Sequence, residues 1–287
     1  MKQQRHMYPI ELMARVLQVS RSGYYSWACR KPSKRSIMDN WLKPLIRRAY
    51  EKGRKTSGST KIQHELRSWG VYVGRDRISR LRKEMGLYCI QRRKFKATTN
   101  SRHDHPVAEN LLNQEFTVSD PGMVLGGDIT YIPTDEGWLY LAGLKDFCSK
   151  EIVGYAMGDR MTKELVIEAF RKAVNYRKAL PGAIHHTDRG VQYCSREYVR
   201  LVKKVGFNIS MSRKGNCYDN APTESFWGSL KQEMVYHRRF RTRLEAKAAI
   251  QEWIEVFYNR IRRHASLGYV PPAIWAKQRL SEKEEAA

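Results

Sequence analysis

Three carboxylates stand in short segments whose residue types could form one site. Asp128 lies inside an apolar run, sixty residues before Asp188, which ends another apolar run. Glu224 follows thirty-six residues after Asp188 and opens a helical pattern. A buried charge without a partner is costly, so Asp128 in particular indicates a charged ligand. We therefore predict that the three carboxylates converge.

Convergent carboxylates suit a divalent metal ion. Mg²⁺ takes oxygen ligands and is usually held by one or two carboxylates together with substrate phosphates. Two such ions, about 4 Å apart, activate an attacking oxygen and stabilise a leaving oxygen during displacement at phosphorus. We predict that Asp128, Asp188 and Glu224 are catalytic and bind Mg²⁺, for which Mn²⁺ can substitute.

Neighbouring polar residues have simpler interpretations. Asp146 ends a strand and Asp219 precedes a helix, so both are interpreted as structural, with Asp219 the stronger competitor for a catalytic role. His185 and His186 lack the soft partners of a zinc site. We expect His186 to support the carboxylates or to carry a proton.

The elements that must position these residues follow from the sequence pattern. Between Met123 and Met157, short apolar runs separated by turn residues predict three neighbouring strands. Amphipathic helices and two further short strands follow. The order βββαβαβα is that of a ribonuclease H-like sheet, so we predict an α/β fold with a mixed five-stranded sheet and helices.

The net charge of +24 is concentrated in the first third of the chain. Residues 1–100 contain 25 Lys and Arg against 6 Asp and Glu, whereas residues 101–287 contain 28 against 23. This concentration indicates a polyanionic partner, because neutralised phosphates release counterions. Nucleic acid is favoured over a membrane, since no amphipathic apolar helix accompanies the charge and no apolar run could span a bilayer.

Helical patterns fill this basic region and predict an all-α, helix-turn-helix-type DNA-binding region. The segment 75–85 places its apolar residues on one face and basic residues around the remainder. We predict it to be the recognition helix, with its basic side chains available to phosphates or base edges. An ordinary charged helix face remains the alternative. The predicted DNA-binding residues are Arg75, Arg77, Arg80, Arg82 and Lys83.

Changes in composition predict the division of the chain. Five scattered cysteines without a Cys-x-x-Cys pair indicate reduced thiols, and no signal-peptide core follows Met1, so we expect a cytoplasmic protein. The predicted segments are a basic helical DNA-binding region (1–95), a linker (96–115), a catalytic core (116–240) and a C-terminal helical extension (241–287).

Five ordered motifs resemble one known family. They are Gly-Asp-Ile-Thr-Tyr-Ile, Thr-Asp-Glu-Gly-Trp-Leu-Tyr-Leu-Ala, His-Thr-Asp-Arg-Gly-Val-Gln-Tyr-Cys, Ser-Met-Ser-Arg-Lys-Gly-Asn-Cys-Tyr-Asp-Asn-Ala and Glu-Ser-Phe-Trp-Gly-Ser-Leu-Lys-Gln-Glu. From about Tyr8 to Trp275, the chain resembles the second-frame (OrfB) product of IS-three-type bacterial insertion sequences. The resemblance implies a DDE transposase with a retroviral-integrase-like core.

The family also implies a reaction and partners. Water or a 3′-hydroxyl attacks a DNA phosphodiester at the ends of a mobile element, without a covalent protein–DNA intermediate. The family's carboxylates match Asp128, Asp188 and Glu224, and Lys231 matches a basic residue that contacts the DNA end. Implied partners are the DNA ends and target, the upstream-frame OrfA product or an OrfAB fusion, and further copies in a homo-oligomer. The implied location is the bacterial cytoplasm, at the nucleoid and not at a membrane.

A few positions depart from the family pattern. Gly126 stands near where a tryptophan is common, while Gly143 and Lys145 interrupt an otherwise apolar strand. We expect the lysine to weaken strand packing, so a poorly active copy remains open. Two alternative functions also remain: a non-catalytic DNA-binding regulator derived from a transposase, and a ribonuclease H-like nuclease. The nuclease would not need the basic N-terminal region.

Overall fold

The computed structural model describes residues 1–90, 107–177, 180–213 and 217–286. Most of the predicted linker therefore lies outside the described residues. Within these ranges, every helix is too short or too polar to cross a membrane.

The N-terminal region is all helical, as predicted. A long helix there runs through Pro44 and begins at Lys34, where the Ser33 side chain accepts a hydrogen bond from the amide of Ser36. The last three helices of this region pack around Ile46, Leu66 and other buried aliphatic residues. The helices are α1 (Ile10–Val16), α2 (Arg21–Ala28), α3 (Lys34–Lys52), α4 (Ser59–Ser68) and α5 (Arg75–Glu84).

A mixed five-stranded sheet forms the centre of the rest of the chain, which confirms the predicted fold class. Its spatial order is β3-β2-β1-β4-β5. The first three strands are antiparallel neighbours, and β4 and β5 run parallel to β1. The strands are β1 (Val124–Thr134), β2 (Gly137–Asp146), β3 (Ile152–Gly158), β4 (Ile184–Thr187) and β5 (Asn208–Met211).

Helices cover both faces of this sheet. Because alternate strand residues point to opposite faces, β1 contributes Leu125 to one apolar cluster and Ile132 to another. Helices α6 (Lys163–Tyr176) and α7 (Arg196–Lys204) pack on the first cluster. The second lies beneath α8 (Ala221–Glu233), α9 (Arg243–Glu252) and the π-helical turn Trp253–Tyr258, and α10 (Pro272–Ala286) follows.

Two segments are more closely integrated with the sheet than the sequence predicted. Residues 107–115, assigned to the linker, pack on it: Leu112 is buried, and the amide of Met211 donates to the carbonyl of Glu109. Part of the predicted C-terminal extension is also buried, since Trp253 and Phe257 lie in the same cluster as α8. Apolar side chains in these segments fill gaps that the sheet and its helices leave.

Candidate active site

The pairing of β1 with β4 positions two of the carboxylates. These parallel strands are in register through Gly127 and Thr187, and Asp128 and Asp188 are the next residue along each strand. The two side chains therefore start from adjacent positions just beyond the point where the pairing of β1 with β4 ends. The structure brings this predicted pair together.

Helix α8 brings the third carboxylate to the same place. Glu224 lies in its first turn, and Trp227 follows one helical turn later. The indole Nε1 of Trp227 donates a hydrogen bond to Oδ2 of Asp128 at 3.0 Å. Because Glu224 and Trp227 share a helix, this bond fixes the third carboxylate relative to the first.

The three carboxylates are electrostatically linked. Burial raises the pKa of Asp128 well above its ordinary value, and the negative charges of Asp188 and Glu224 raise it further. Burial and the charge of Asp188 also raise the pKa of Glu224. A divalent cation relieves such repulsion, and an all-oxygen donor set fits a hard ion such as Mg²⁺.

Each aspartate is also hydrogen-bonded to the protein itself. Oδ1 of Asp128 accepts from the Ile129 amide at 2.7 Å, and Oδ1 of Asp188 accepts from the Gly190 amide at 2.9 Å. Across the described ranges, no three acidic, histidine or cysteine side chains cluster tightly enough to hold a metal ion.

Trp227 is a site residue that the sequence analysis did not identify. Gly143 of β2 pairs with Asp128, and a Cβ atom on this glycine would lie 2.8 Å from the indole ring. Gly143, which interrupts the apolar pattern of β2, therefore makes room for the Trp227 ring. The sequence contains a strand glycine and a helical tryptophan, but only the packing of α8 on the sheet shows that they face each other.

Lys145 has a hydrogen-bond partner that the sequence analysis did not identify. Its buried ammonium donates to the carbonyl of Pro222 in the first turn of α8, at 2.7 Å. Burial, with smaller contributions from Lys150 and Arg262, lowers the pKa of Lys145 to about 7. The lysine thus anchors the helix that carries Glu224.

The departure at Gly126 has a steric cause. A Cβ atom here would lie 2.1 Å from the Phe147 ring and 2.7 Å from the Thr223 hydroxyl. A larger side chain cannot fit unless both neighbours move.

Lys231 lies further along α8, beside β1. Its ammonium is 4.9 Å from the centre of the Tyr131 ring, and burial lowers its pKa. Space is open above Gly228, between Glu224 and Lys231, because nothing lies within 4 Å of the position a Cβ atom would take. A phosphate can approach the helix closely at this point.

The competing polar residues have structural roles. Asp219 is buried and bonded to Arg213, with Nη2 to Oδ1 at 2.9 Å, and this partner lowers the pKa of Asp219. Asp146 accepts from the amides of Gly122 and Cys148 at 2.9 Å. Both acids therefore stabilise loops, as predicted.

His186 does not contact the carboxylates. Its ring nitrogens lie 2.8 Å from the Ser210 hydroxyl and 3.2 Å from the Ser212 hydroxyl, towards β5. Burial lowers the pKa of His186 to about 4, so the ring is neutral near pH 7. Both ring nitrogens of His186 therefore bond to serine hydroxyls, and neither bonds to a carboxylate that His186 was expected to support.

The basic side chains of α5 differ in their availability. Arg77 and Arg80 both bind Asp39, at 2.7 and 2.6 Å. Arg82 turns inward and donates to the carbonyl of Leu87 at 3.1 Å. The five basic side chains therefore differ in their partners within the protein, and their contact with DNA stays a prediction. The exposed members of the set are Arg75 and Lys83.

Comparison with family models agrees with this architecture. Two models described as "Integrase core domain" match residues 119–217 and 205–272. A model described as "HTH-like domain" matches residues 39–95. The chain is therefore an integrase-core protein with a helix-turn-helix-like region in front of the core.

Curated relatives identify the family within this class. The chain is 53% identical over 266 residues to an uncharacterized 31 kDa protein of insertion element IS600 from Shigella sonnei, covering 93% of this chain and 98% of the relative. It is 38% identical over 276 residues to transposase InsF of insertion sequence IS3A from Escherichia coli K12, covering 96% of each. The chain belongs to the IS3 family of transposases.

Solved structures with a similar arrangement include viral integrases. The catalytic core domain of BIV integrase is 14% identical, with a TM-score of 0.43, and covers 57% of this chain and 98% of its own. A chain of the simian T-cell lymphotropic virus intasome is 16% identical, with a TM-score of 0.41, and covers 68% and 65%.

Proposed function

We propose that this transposase cuts and joins DNA strands at the ends of its insertion sequence, using bound divalent metal ions. The pairing of Gly127 with Thr187 carries the proposal, because it makes Asp128 and Asp188 neighbours where the pairing of β1 with β4 ends. Glu224 completes the acidic set from α8, which the indole of Trp227 ties to Asp128. The mutual rise in pKa supports a cation as their shared ligand.

The side chains have separate tasks in this proposal. Asp128, Asp188 and Glu224 would hold the ions through their carboxylate oxygens. Mg²⁺, or Mn²⁺ in its place, would supply activation of the attacking oxygen and stabilisation of the leaving oxygen at phosphorus. Trp227 orients the Asp128 carboxylate, and Lys231 neutralises a phosphate of the DNA end.

The N-terminal region supplies DNA affinity in this proposal. Its excess of basic residues favours phosphate binding, and Arg75 and Lys83 are the exposed basic residues of α5. We further propose that the chain works as a homo-oligomer on DNA, alone or with the OrfA product or as an OrfAB fusion. Its place of action is the bacterial cytoplasm, at the nucleoid.

A junction assay in cells tests the reaction. The chain, alone and fused to its upstream frame, is supplied with a plasmid that carries the element's two ends, and end-to-end junctions are amplified. We expect Asp128→Asn, Asp188→Asn and Glu224→Gln to abolish the junctions, whereas the exposed Asp159→Asn keeps them. Junctions that persist in any of the first three variants would remove that residue from the site.

A further inference from the structure

An exposed aromatic pair lies beside the proposed active site. Tyr131 of β1 and Trp138 of β2 pack edge to face, with ring centres 4.9 Å apart. They are 36% and 49% exposed, although large aromatic residues are usually buried on a sheet. The pair lies at the end of the β1–β2 hairpin.

The position of this pair relative to the carboxylates is fixed by two elements. Tyr131 lies three residues beyond Asp128, about 10 Å along a strand. Lys231 lies seven residues beyond Glu224, about 10 Å along a helix. The strand and the helix meet again where the Lys231 ammonium covers the Tyr131 ring. Alternation along β1 directs the Asp128 and Tyr131 side chains to opposite faces, so Lys231, on the helix of Glu224, is the residue that connects the aromatic pair with the carboxylates.

The surroundings hold Trp138 in place and are basic. Nε of Arg243 donates to the Trp138 carbonyl at 3.0 Å, and the Arg243 amide donates to Glu136 at 2.8 Å. Asp135, the other acid of the hairpin, is bonded to Arg239. Asp135 thus has a basic partner and Glu136 a backbone amide, while the Lys231 ammonium lies against an aromatic ring.

We propose that Trp138, supported by Tyr131, stacks with an unpaired base of the element's DNA end, while Lys231 neutralises the adjacent phosphate. This inference rests on the proposed function. Aromatic faces bind unstacked bases of any sequence, and a cation beside them binds the backbone. Trp138 pairs with Pro133, which lies five residues and about 17 Å beyond Asp128, so the base lies within about five stacked nucleotides of the cleaved phosphodiester.

Photo-cross-linking tests the contact directly. Duplexes that end at the element's terminal base pair carry 5-iodouracil at one of the last positions, are bound by the full chain and are irradiated. We expect adducts at Trp138 or Tyr131 from positions within about five nucleotides of the cleavage site. Adducts confined to other residues would overturn the proposal.

Strand-cleavage rates provide the second measurement. We expect Trp138→Ala to cut the paired end roughly tenfold or more slowly, Trp138→Phe to lose much less, and a mismatched end to restore cutting by Trp138→Ala. Leu244→Ala is the control, because it shortens another exposed apolar side chain nearby. An unchanged rate for Trp138→Ala, or a change only in its oligomeric state, would contradict a base-stacking role.

Failure of this inference can be distinguished from failure of the proposed function. If Asp128→Asn is inactive and Trp138→Ala cuts at the wild-type rate, only the stacking site is wrong. If Asp128→Asn cuts as fast as the wild type, the proposed active site is wrong as well.

Discussion

Asp128 is oriented by an indole rather than by a second charged group. The Trp227 N–H can only donate, so it bonds to an ionised carboxylate and favours that form. Burial and two neighbouring carboxylates act in the opposite direction and raise the pKa of Asp128. The indole hydrogen bond therefore stabilises the ionised form of Asp128, which burial and the neighbouring carboxylates destabilise.

At the residue scale, Trp227→Phe should weaken metal binding while the ring still packs over Gly143. A hydrogen bond to a charged group contributes about 1.5–3 kcal/mol, so we expect the Mg²⁺ concentration for half-maximal cleavage to rise about tenfold or more. Mg²⁺ titration of strand cleavage measures this. Trp253→Phe is the matched control, because its buried Nε1 has no hydrogen-bond partner in the described part of the chain. Equal metal dependence in both variants would exclude an orienting role for Trp227.

The sequence was sufficient to identify the carboxylates but not their supporting residues. Asp128 was conspicuous because it interrupts an apolar run, and Glu224 because it opens a helix. Trp227 and Lys145 make contacts between α8 and the sheet, and local sequence patterns do not reveal such contacts. The sequence showed Lys145 only as an interruption of an apolar strand, because its partner becomes visible when α8 is placed beside the sheet.

At the element scale, Lys145 makes the stability of the fold depend on pH. Its pKa is about 7 when folded and near 10.4 when unfolded, so the unfolded chain binds more protons between these values. Its contribution to the unfolding free energy therefore rises with pH, by at most about 1.4 kcal/mol per pH unit. We expect the unfolding free energy of Lys145→Met to exceed that of the wild type by the largest amount near pH 7. This difference should shrink towards pH 10.

Urea unfolding of the wild type and Lys145→Met at several pH values measures this difference. Comparing the pair cancels the titration of other groups, including Lys61, whose pKa burial lowers to about 8. A difference that does not vary with pH would contradict the burial of a charged Lys145.

The fit of α8 on β2 gives a second prediction at this scale. Gly143→Ala places a methyl group 2.8 Å from the Trp227 indole, so we expect a loss of about 1–3 kcal/mol in unfolding free energy. Gly228→Ala, on the open face of the same helix, should instead add up to about 1 kcal/mol. Thermal unfolding measures both. Equal effects of the two alanines would show that the indole does not pack against Gly143.

The order of elements was predictable because strands and helices have different apolar periods. The close fit of α8 on the sheet was not, since it depends on single glycines and on one buried lysine. Residues 107–115 fell within the predicted linker because they follow a polar stretch that ends at Pro106, whereas Leu112 is buried in the structure.

At the scale of the whole molecule, ion pairs hold the helix-turn-helix-like region against the core. Buried Glu65 of α4 binds Arg263 at 2.7 Å, and Arg263 also donates to the Ser68 hydroxyl at 2.9 Å. The His64 ring stacks on Tyr269 with centres 4.1 Å apart. The ion pair between Glu65 and Arg263 was not predictable from the sequence, because the two residues are 198 positions apart.

We expect Arg263→Glu to separate this region from the core. Breaking a buried ion pair by changing one partner costs about 3–5 kcal/mol, so calorimetry should resolve two unfolding transitions or one at lower temperature. The double variant with Glu65→Arg should recover part of the loss by restoring an opposite-charge pair. A double variant no more stable than the sum of the single changes would argue against this contact.

The most direct test of the central claim is a change in metal preference caused by one ligand. Asp188→Cys replaces a carboxylate with a thiolate, a softer ligand that suits Mn²⁺ better than Mg²⁺. If Asp188 binds the catalytic metal, cleavage of a labelled DNA end by this variant is lost with Mg²⁺ and recovered in part with Mn²⁺, while the wild type uses both. Two results would contradict the proposed metal site. One is that the variant cleaves with Mg²⁺ at the wild-type rate, and the other is that a folded, DNA-binding variant loses cleavage equally with both ions.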